Sequence, residues 1–302
     1  MEEVIRIKSI TDVHDVFGFE KPKHPLVSVL PIDDRMTGYN YDGQRFTFDF
    51  YQISLKEGIP GSWVYGRNSY DFQEGTVVFM RPDQVVKIEN NEATAGESGW
   101  TLLFHPDLIR SAALGQSIDQ FSFFDYSVHE ALHLSDDEKK ALTELTGKIK
   151  DEYSQNIDKH SQDLIIANIE LLLKYCQRYY DRQFYTRTNL NKDFISRFEK
   201  VIKDYYRSDQ PATDGVLSVR YCADVLNMSS NYLGDLVRSE TGQSAKEHIQ
   251  GHIIEKAKTK IMGSNESISQ IAYGLGFEYP QSFNKLFKAK TGMSPSTYRS
   301  RN

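Results

Sequence analysis

The feature that most constrains the fold is an internal repeat close to the C-terminal end of the sequence. The stretch LSVRYCADVLNMSSNYLGDLVRSETGQS is similar to the later stretch SISQIAYGLGFEYPQSFNKLFKAKTGMSP. Ala223 and Leu226 recur 49 positions later as Ala272 and Leu275, whereas Thr241 and the residues around it recur 50 positions later. The second copy therefore has one extra residue in its middle, and the fold must contain the same small unit twice.

Each copy has the periodicity of two short helices joined by a tight turn. In the second copy Ile271, Ala272 and Leu275 share one face of the first helix, and Gly276 is the glycine that ends it. The next helix has an apolar face that we predict to be core, formed by Phe283, Leu286 and Phe287. Two helices at a tight turn form a helix-turn-helix, whose second helix enters the DNA major groove.

Two such units in tandem, over residues 219–299, resemble the DNA-binding domain of the AraC/XylS family of bacterial transcription regulators. The resemblance is carried by Ile271-Ala272, Gly276-Phe277, Ser282-Phe283, Leu286-Phe287-Lys288, Thr291-Gly292 and Ser294-Pro295 with Tyr298. It implies a sequence-specific, double-stranded DNA-binding regulator of transcription. An activator that works with RNA polymerase is the expectation, and the sequence itself does not distinguish an activator from a repressor. A helix from Ser244 to Met262 is predicted to space the two units.

The polar face of each second helix supplies the predicted DNA contacts. In the first copy these are Ser229, Ser230, Asn231, Asp235 and Arg238. In the second copy they are Tyr279, Gln281, Ser282, Asn284, Lys285 and Lys288. Asp235 departs from the larger polar or basic residues that the family places there, and phosphates repel a carboxylate. We therefore expect the first copy to bind DNA more weakly, or to accept a narrower range of sequences, than the second copy.

The charge distribution agrees with DNA binding by one end of the chain. The net charge is −6, yet residues 195–302 contain 15 Lys and Arg against 11 Asp and Glu, a net charge of +4. The rest of the chain therefore has a net charge of −10. A basic end on an acidic chain is typical of a nucleic-acid-binding domain joined to a domain with another role.

Cysteine usage and hydropathy indicate a cytoplasmic location, close to the nucleoid. Cys176 and Cys222 both lie in apolar helical patterns without a partner at metal-ligand spacing, as expected of core residues in a reducing compartment. The first residues, MEEVIRIKSI, lack the basic and apolar regions of a signal peptide, and no apolar run reaches membrane length. No membrane association is expected.

The predicted fold class is α+β, in four parts. Residues 1–134 form a cupin-like regulatory domain, 135–182 a helical dimerisation region, 183–194 a linker, and 195–302 the tandem helix-turn-helix domain. Alternation at Phe46, Phe48 and Phe50, with a change of phase before Ile53 and Leu55, predicts an antiparallel β-barrel. A looser resemblance to the family's effector-sensing domain is carried by Phe50-Tyr51-Gln52, Glu74-Gly75 and Pro82-Asp83-Gln84.

Aromatic residues in this first part predict a site for a small-molecule effector such as a sugar. The candidates are Tyr39, Tyr51, Trp63, Tyr65 and Trp100, which can stack on a ligand or simply fill the core. Two alternatives remain open, a barrel that serves only as an interaction platform and, less favoured, a cupin-type enzyme. The enzyme needs clustered metal ligands, and His105 alone lies among the later strands. No cofactor, metal or catalytic residue is expected.

Residues 129–133, HEALH, match the zinc-protease pattern HExxH. That chemistry needs both histidines on one helix face, but Ser135 and Glu138 form a capping box that begins a new helix just after the motif. The match is interpreted as accidental.

Helical periodicity predicts a pair of helices over residues 135–182. The second helix has an apolar stripe with spacings of four, three and four, formed by Ile165, Ile169, Leu172 and Cys176. Such a stripe can pack within one chain or pair two chains. The resemblance favours a homodimer.

Overall fold

A computed structural model describes residues 4–32, 44–57, 64–65, 68–69, 75–87, 98–127, 130–156, 158–186 and 188–301. The chain divides into two compact units, Met1–Gln183 and Phe184–Asn302. All described strands lie in the first unit and the second is helical, so the α+β fold class is confirmed. None of the helices within the described ranges has the length and apolar composition needed to cross a membrane.

The described strands of the first unit form three sheets. The strands are β1 Val4–Ile7, β2 Val27–Pro31, β3 Arg45–Phe48, β4 Tyr51–Glu57, β5 Val64–Tyr65, β6 Asn68–Ser69, β7 Thr76–Met80, β8 Val85–Lys87, β9 Ser98–Phe104 and β10 Leu132–His133. A five-stranded antiparallel sheet has the order β10-β7-β4-β9-β2, a three-stranded sheet has the order β1-β3-β8, and β5 pairs with β6.

The predicted antiparallel barrel needs two corrections. The strands in the described ranges form separate sheets rather than a closed barrel, and β1 runs parallel to β3, with Val4 opposite Arg45. The predicted change of phase is confirmed, because a bend at Asp49 and Phe50 separates β3 from β4. Alternation alone did not indicate the parallel pair, because strand direction depends on chain segments distant in sequence.

The central strand β4 is buried on both faces. Ile53 and Leu55 point to one face, whereas Ser54 points to the other, where its hydroxyl lies 3.0 Å from the hydroxyl of Thr101 in β9. On that second face Leu30 and Leu103 pack into one apolar cluster with phenylalanines of β3. The face carrying Ser54 therefore looks towards the three-stranded sheet.

Helices cover the opposite face of the five-stranded sheet. The first unit contains α1 Ile10–Val16, α2 Pro106–Ile109, α3 Ala113–Ser117, 3-10 turns at Ile118–Gln120 and Ser122–Asp125, α4 Asp136–Ser154, and most of α5, Ser161–Thr186. Ser135 and Glu138 form the predicted capping box at the start of α4. The Tyr153 hydroxyl near the end of α4 accepts a hydrogen bond from the Val29 amide of β2, at 3.0 Å.

The apolar stripe of α5 belongs to the core of the first unit. Its four predicted dimerisation residues are all fully buried at 0% exposure: Ile165, Ile169, Leu172 and Cys176. The stripe therefore packs within its own chain, which is one of the two alternatives that its periodicity left open. The exposed aliphatic residues of this helix include Leu164 and Leu171, at 49% and 44% exposure.

The second unit is built from helices whose ends follow the sequence signals. They are α6 Thr188–Tyr205, α7 Gln210–Asp214, α8 Val219–Leu226, α9 Ser230–Thr241, α10 Ala245–Gly263, α11 Ile268–Gly274, α12 Pro280–Thr291 and α13 Pro295–Arg301. The predicted spacer helix is confirmed as α10, with Ser244 as its N-cap. The predicted linker, residues 183–194, differs: α5 continues to Thr186 and α6 starts at Thr188.

Candidate nucleic-acid interface

The sequence repeat reappears as a repeat of backbone hydrogen bonds. In the first copy the Met228 amide donates to the Ala223 carbonyl at 2.9 Å, closing the turn between α8 and α9. In the second copy the Phe277 amide donates to the Ala272 carbonyl at 3.0 Å, closing the turn between α11 and α12. Both turns use a positive φ, 55° at Asn227 and 91° at Gly276. The two motifs are therefore the same helix-turn-helix unit.

The second helix of each motif also ends in the same way. Gly242 and Gly292 follow α9 and α12 with φ values of 72° and 81°. The threonine before each glycine donates its hydroxyl to the carbonyl four residues earlier, at 2.7 Å for Thr241 and 2.8 Å for Thr291. Hydrogen bonds of this kind are local, which explains why the matching Thr-Gly pairs of the sequence repeat form the same helix end twice.

The predicted reader face of α12 is exposed. Phe283 and Phe287 are fully buried, and the predicted contact residues of this helix lie on the side that faces solvent: Gln281, Ser282, Asn284, Lys285 and Lys288. Leu286, predicted as core, is only half-buried. The difference arises because it lies at the border between the buried stripe and the polar face.

The start of α12 is open to an anion. Its N-cap is Tyr279, which makes no side-chain capping hydrogen bond, and Pro280 occupies the first turn. The helices α8, α9, α10 and α11 all begin with a capping serine instead. Tyr279 itself is 59% exposed. A helix start without a side-chain cap leaves amide groups and the positive end of the helix dipole for an outside acceptor such as a phosphate.

The predicted reader face of α9 is less uniform. Ser230, Asn231 and Arg238 are exposed, whereas Asp235 is half-buried. Ser229 is the N-cap and its hydroxyl accepts a hydrogen bond from the Tyr232 amide at 3.2 Å. The Ser229 hydroxyl therefore stabilises the start of the helix. The sequence analysis predicted Ser229 as a DNA contact and did not identify this structural role.

Basic side chains lie on α10 and α6 as well as on the readers. Burial, and then the positive charges of Lys256, Lys203 and Arg207, lower the pKa of His252. Burial also lowers the pKa of Lys256, with further contributions from Lys260 and Arg207. These shifts indicate that several cations share one region of the second unit.

The effector candidates fall into two groups. Tyr39 and Trp63 lie outside the described residues, and for Tyr65 only the backbone, in β5, is described. Tyr51 is buried, with its ring centroid 4.9 Å from that of Phe104 and 5.1 Å from that of Phe124.

Trp100 is also buried and its indole N–H donates to the Thr143 hydroxyl of α4 at 3.1 Å. Tyr51 and Trp100 therefore lie on the helix-covered face of the sheet, where both side chains are part of the core.

The sequence reasoning missed the polar residues on the other face of β4 and β9. Gln52, Ser54 and Thr101 are all buried there at 9% exposure or less. The available signal was the presence of three polar side chains within otherwise apolar strands, since buried polar groups need hydrogen-bond partners. Polar groups of this kind can orient a ligand with hydroxyl groups.

The described part of the HExxH match does not form a zinc-protease helix. In the described ranges, no three His, Cys, Asp or Glu side chains are grouped closely enough to hold a metal ion. His133 lies in β10 opposite Thr76, and Glu130 is buried with its carboxylate accepting the Ser127 amide at 2.7 Å. His129 lies outside the described residues. The segment from Glu130 to His133 is not an α-helix, so the protease geometry cannot form there.

Comparison with known proteins agrees with the helix-turn-helix geometry of the second unit. The helix-turn-helix domain family matches residues 222–301. The HTH-type transcriptional regulator YfiF of Bacillus subtilis is 26% identical over 268 residues, covering 86% of this chain and 80% of YfiF. The HTH-type transcriptional activator RhaS of Enterobacter sp. is 22% identical over 258 residues, covering 83% of this chain and 85% of RhaS.

A solved structure of ToxT from Vibrio cholerae with a bound unsaturated fatty acid is 16% identical, covers 91% of this chain and 94% of ToxT, and has a TM-score of 0.29. Residues 222–301 form a helix-turn-helix domain, and the chain is similar over more than four fifths of its length to HTH-type transcription regulators.

Proposed function

We propose that the chain reads two successive segments of one DNA site with α9 and α12 and that a small molecule bound by the first unit controls this reading. The observation that carries the two-reader proposal is the duplicated motif with a polar, exposed face on the second helix of each copy. Exposed Gln and Lys side chains suit base edges, since Gln can pair with adenine and Lys with guanine.

The connecting helix supports reading by a single chain. Helix α10 has 19 residues, and at 1.5 Å per residue it is about 28 Å long. Successive major grooves on one face of DNA lie about 34 Å apart. The two readers are therefore proposed to enter neighbouring grooves.

Selection from a random duplex pool tests this proposal. The wild-type chain should enrich a bipartite sequence whose two conserved segments lie about 10 base pairs apart, as one helical turn requires. A scrambled duplex of equal length measures non-specific binding. Enrichment of a single short segment, or of none, would contradict the two-reader proposal.

The effector site is proposed to lie between the two larger sheets. The support is the buried hydroxyl pair of Ser54 and Thr101, with Gln52 nearby on the same face of β4. Buried hydroxyl and amide groups among apolar side chains suit a sugar or a related polyol metabolite. If the first unit binds no small molecule, it serves as a protein-interaction platform instead.

Ligand-dependent stability separates these two possibilities. A ligand that binds only the native state stabilises it by about 2.7 kcal/mol at one hundred times its dissociation constant. A panel of mono- and disaccharides should therefore contain one that raises the unfolding temperature, with glycerol at equal concentration as the control. The shift should shrink in Thr101→Val and persist in Ser98→Ala, an exposed position of the same strand.

The chain is further proposed to act as a homodimer in the cytoplasm and to activate transcription together with RNA polymerase. The support for pairing is the outer side of α5, where Leu164 and Leu171 are exposed and lie seven residues, about two helical turns, apart. A second copy of the same helix is the proposed partner. Light scattering at micromolar concentration tests this pairing. A chain that is monomeric both with and without DNA would contradict the proposed homodimer.

A further inference from the structure

The segment between α6 and α8 approaches the backbone of the second motif closely at Gly276. A Cβ atom added to Gly276 would lie 2.4 Å from the carbonyl of Gly215 and 2.7 Å from the amide nitrogen of Val216. Such distances are far shorter than a van der Waals contact. The turn of the second motif is therefore packed directly against residues 215–216, with no side chain between them.

The same segment is hydrogen-bonded to α6 and α8, the helices that surround the DNA-reading helix α9. The Tyr205 hydroxyl at the end of α6 donates to the Gly215 carbonyl at 2.8 Å. The Leu217 amide donates to the Tyr206 hydroxyl at 3.3 Å. Gln210 donates through its amide nitrogen to the Tyr221 hydroxyl of α8 at 3.0 Å. Helices α6 and α8 in turn pack against α9.

We infer that Gly276 and Tyr205 are positioning residues that hold the two readers at a fixed separation and so set the spacing of the DNA segments they accept. This inference deepens the proposed two-reader function and rests on it. The connection runs from α9 through α6 and α8 to residues 210–217, and from there to the turn that precedes α12. It adds a second link to the one that α10 makes between the motifs.

The geometry makes this link sensitive to single atoms. Gly276 has a φ of 91°, which strains any residue with a Cβ, and its own contact with Gly215 leaves no space for a methyl group. Gly276→Ala must therefore move the second motif away from residues 215–216. Tyr205→Phe removes one hydroxyl and frees the Gly215 carbonyl without adding an atom.

Matched controls lie at the end of α11, just before Gly276. Gly274 is two residues before Gly276, and its added Cβ would meet the end of the Lys260 side chain alone, at 3.5 Å. Gly274→Ala therefore makes the same chemical change without a backbone collision. Tyr273→Phe removes a hydroxyl from a side chain that is 52% exposed.

The first measurement is the distance between spin labels on the two readers. Ser239→Cys and Ala289→Cys place labels on exposed positions of α9 and α12. The native thiols Cys176 and Cys222 are buried, and burial raises the pKa of Cys222 to about 12, so neither should be labelled. The unmutated pair should give one narrow distance. Gly276→Ala and Tyr205→Phe should broaden or shift it, and the two controls should not.

The second measurement is the affinity for the duplex that the wild-type chain selects, with zero, one or two base pairs inserted between its segments. The wild type should lose about tenfold in affinity per insertion, since the two linked contacts can no longer form together. Gly276→Ala and Tyr205→Phe should flatten this dependence while leaving affinity for a single segment within about twofold.

The inference is overturned if folded Gly276→Ala and Tyr205→Phe keep the wild-type distance and spacing dependence, or if the controls change them equally. Should Gly276→Ala fail to fold, Tyr205→Phe decides alone. If the wild type selects no bipartite duplex, the two-reader proposal fails, and the label distances still decide whether these residues hold the motifs together.

Discussion

At the scale of single residues, the second motif separates its core from its reader face within one turn of helix. Phe283 and Phe287 are fully buried, and Gln281, Lys285 and Lys288 are exposed on the other side of α12. The first two of these polar residues lie near the helix start, which reaches base edges in this class of motif. Lys288 lies near the helix end, closer to the strand backbone.

Substitutions on this face should distinguish base contacts from phosphate contacts. Gln281→Ala or Lys285→Ala should cost about 1–3 kcal/mol on the selected duplex and relax preference at one base pair. Lys288→Ala should weaken all sequences similarly and reduce the salt slope by about one unit. Titrations of selected and scrambled duplexes at several salt concentrations measure both.

The control for this series is Lys150→Ala, which removes an exposed lysine from α4 in the first unit. It should leave both affinities unchanged. Wild-type binding by folded Gln281→Ala and Lys285→Ala would show that the reader face lies elsewhere.

His252 should make the second unit less stable in acid. Burial and neighbouring cations lower its pKa in the folded protein, so the unfolded chain binds the proton more readily. Its contribution to stability is therefore complete above the ordinary histidine pKa of about 6.5 and is lost as the pH falls towards the lowered value. His252→Gln should reduce the loss of unfolding free energy between pH 8 and pH 5.5, measured in urea. Equal losses in variant and wild type would rule this out.

At the scale of elements, side chains from the end of α5 hold the short strand β10 at the sheet edge. Arg182 donates to the His133 carbonyl at 2.8 Å and pairs with Glu138 of α4 at 2.6 Å. The Gln183 side chain accepts the His133 amide at 2.9 Å and donates to the Ala131 carbonyl at 3.3 Å. One helix end therefore joins α4, β10 and the edge of the five-stranded sheet.

Arg182→Ala should lower the unfolding free energy of the first unit by about 1–3 kcal/mol, because it removes charge-assisted hydrogen bonds at a partly buried site. Arg178, exposed on the same helix, provides the matched control. Arg178→Ala should change stability by less than about 0.5 kcal/mol. Urea unfolding of both variants measures the difference, and equal effects would mean that the Arg182 contacts contribute nothing beyond an exposed arginine.

At the scale of the whole molecule, substitutions at two nearby positions of α5 should distinguish an effect on folding from an effect on dimerisation. Ile169 is fully buried, whereas Leu171 is 44% exposed. A charge enclosed without a partner is strongly destabilising, whereas a charge on the surface is not. The same substitution at the two positions should therefore have different results.

Ile169→Asp should lower the unfolding free energy by more than about 3 kcal/mol and leave little folded protein. Leu171→Asp should fold normally but shift a homodimer towards monomer and weaken DNA binding, since two linked chains gain from effective concentration. Light scattering and thermal unfolding provide the two readouts. A Leu171→Asp chain that pairs as the wild type does would place the dimer contact on another surface.

The sequence alone determined the duplicated part of the second unit. The start of α10 at Ser244 and the turn at Gly276 depend on capping and on positive φ, which are properties of a few consecutive residues. The capping box at Ser135 was readable for the same reason, and it correctly argued against the HExxH chemistry. The repeat supplied each element twice, so each prediction had an internal check.

Only the tertiary structure decided what covers each apolar face. Alternation in β4 and β9 shows that a strand has two faces, but it does not indicate that Tyr51 and Trp100 point to the helices while Ser54 and Thr101 point between the sheets. Likewise, the stripe containing Ile169 has the same periodicity whether its own chain or a second copy buries it. Periodicity is a property of one element, whereas burial is a relation between elements distant in sequence.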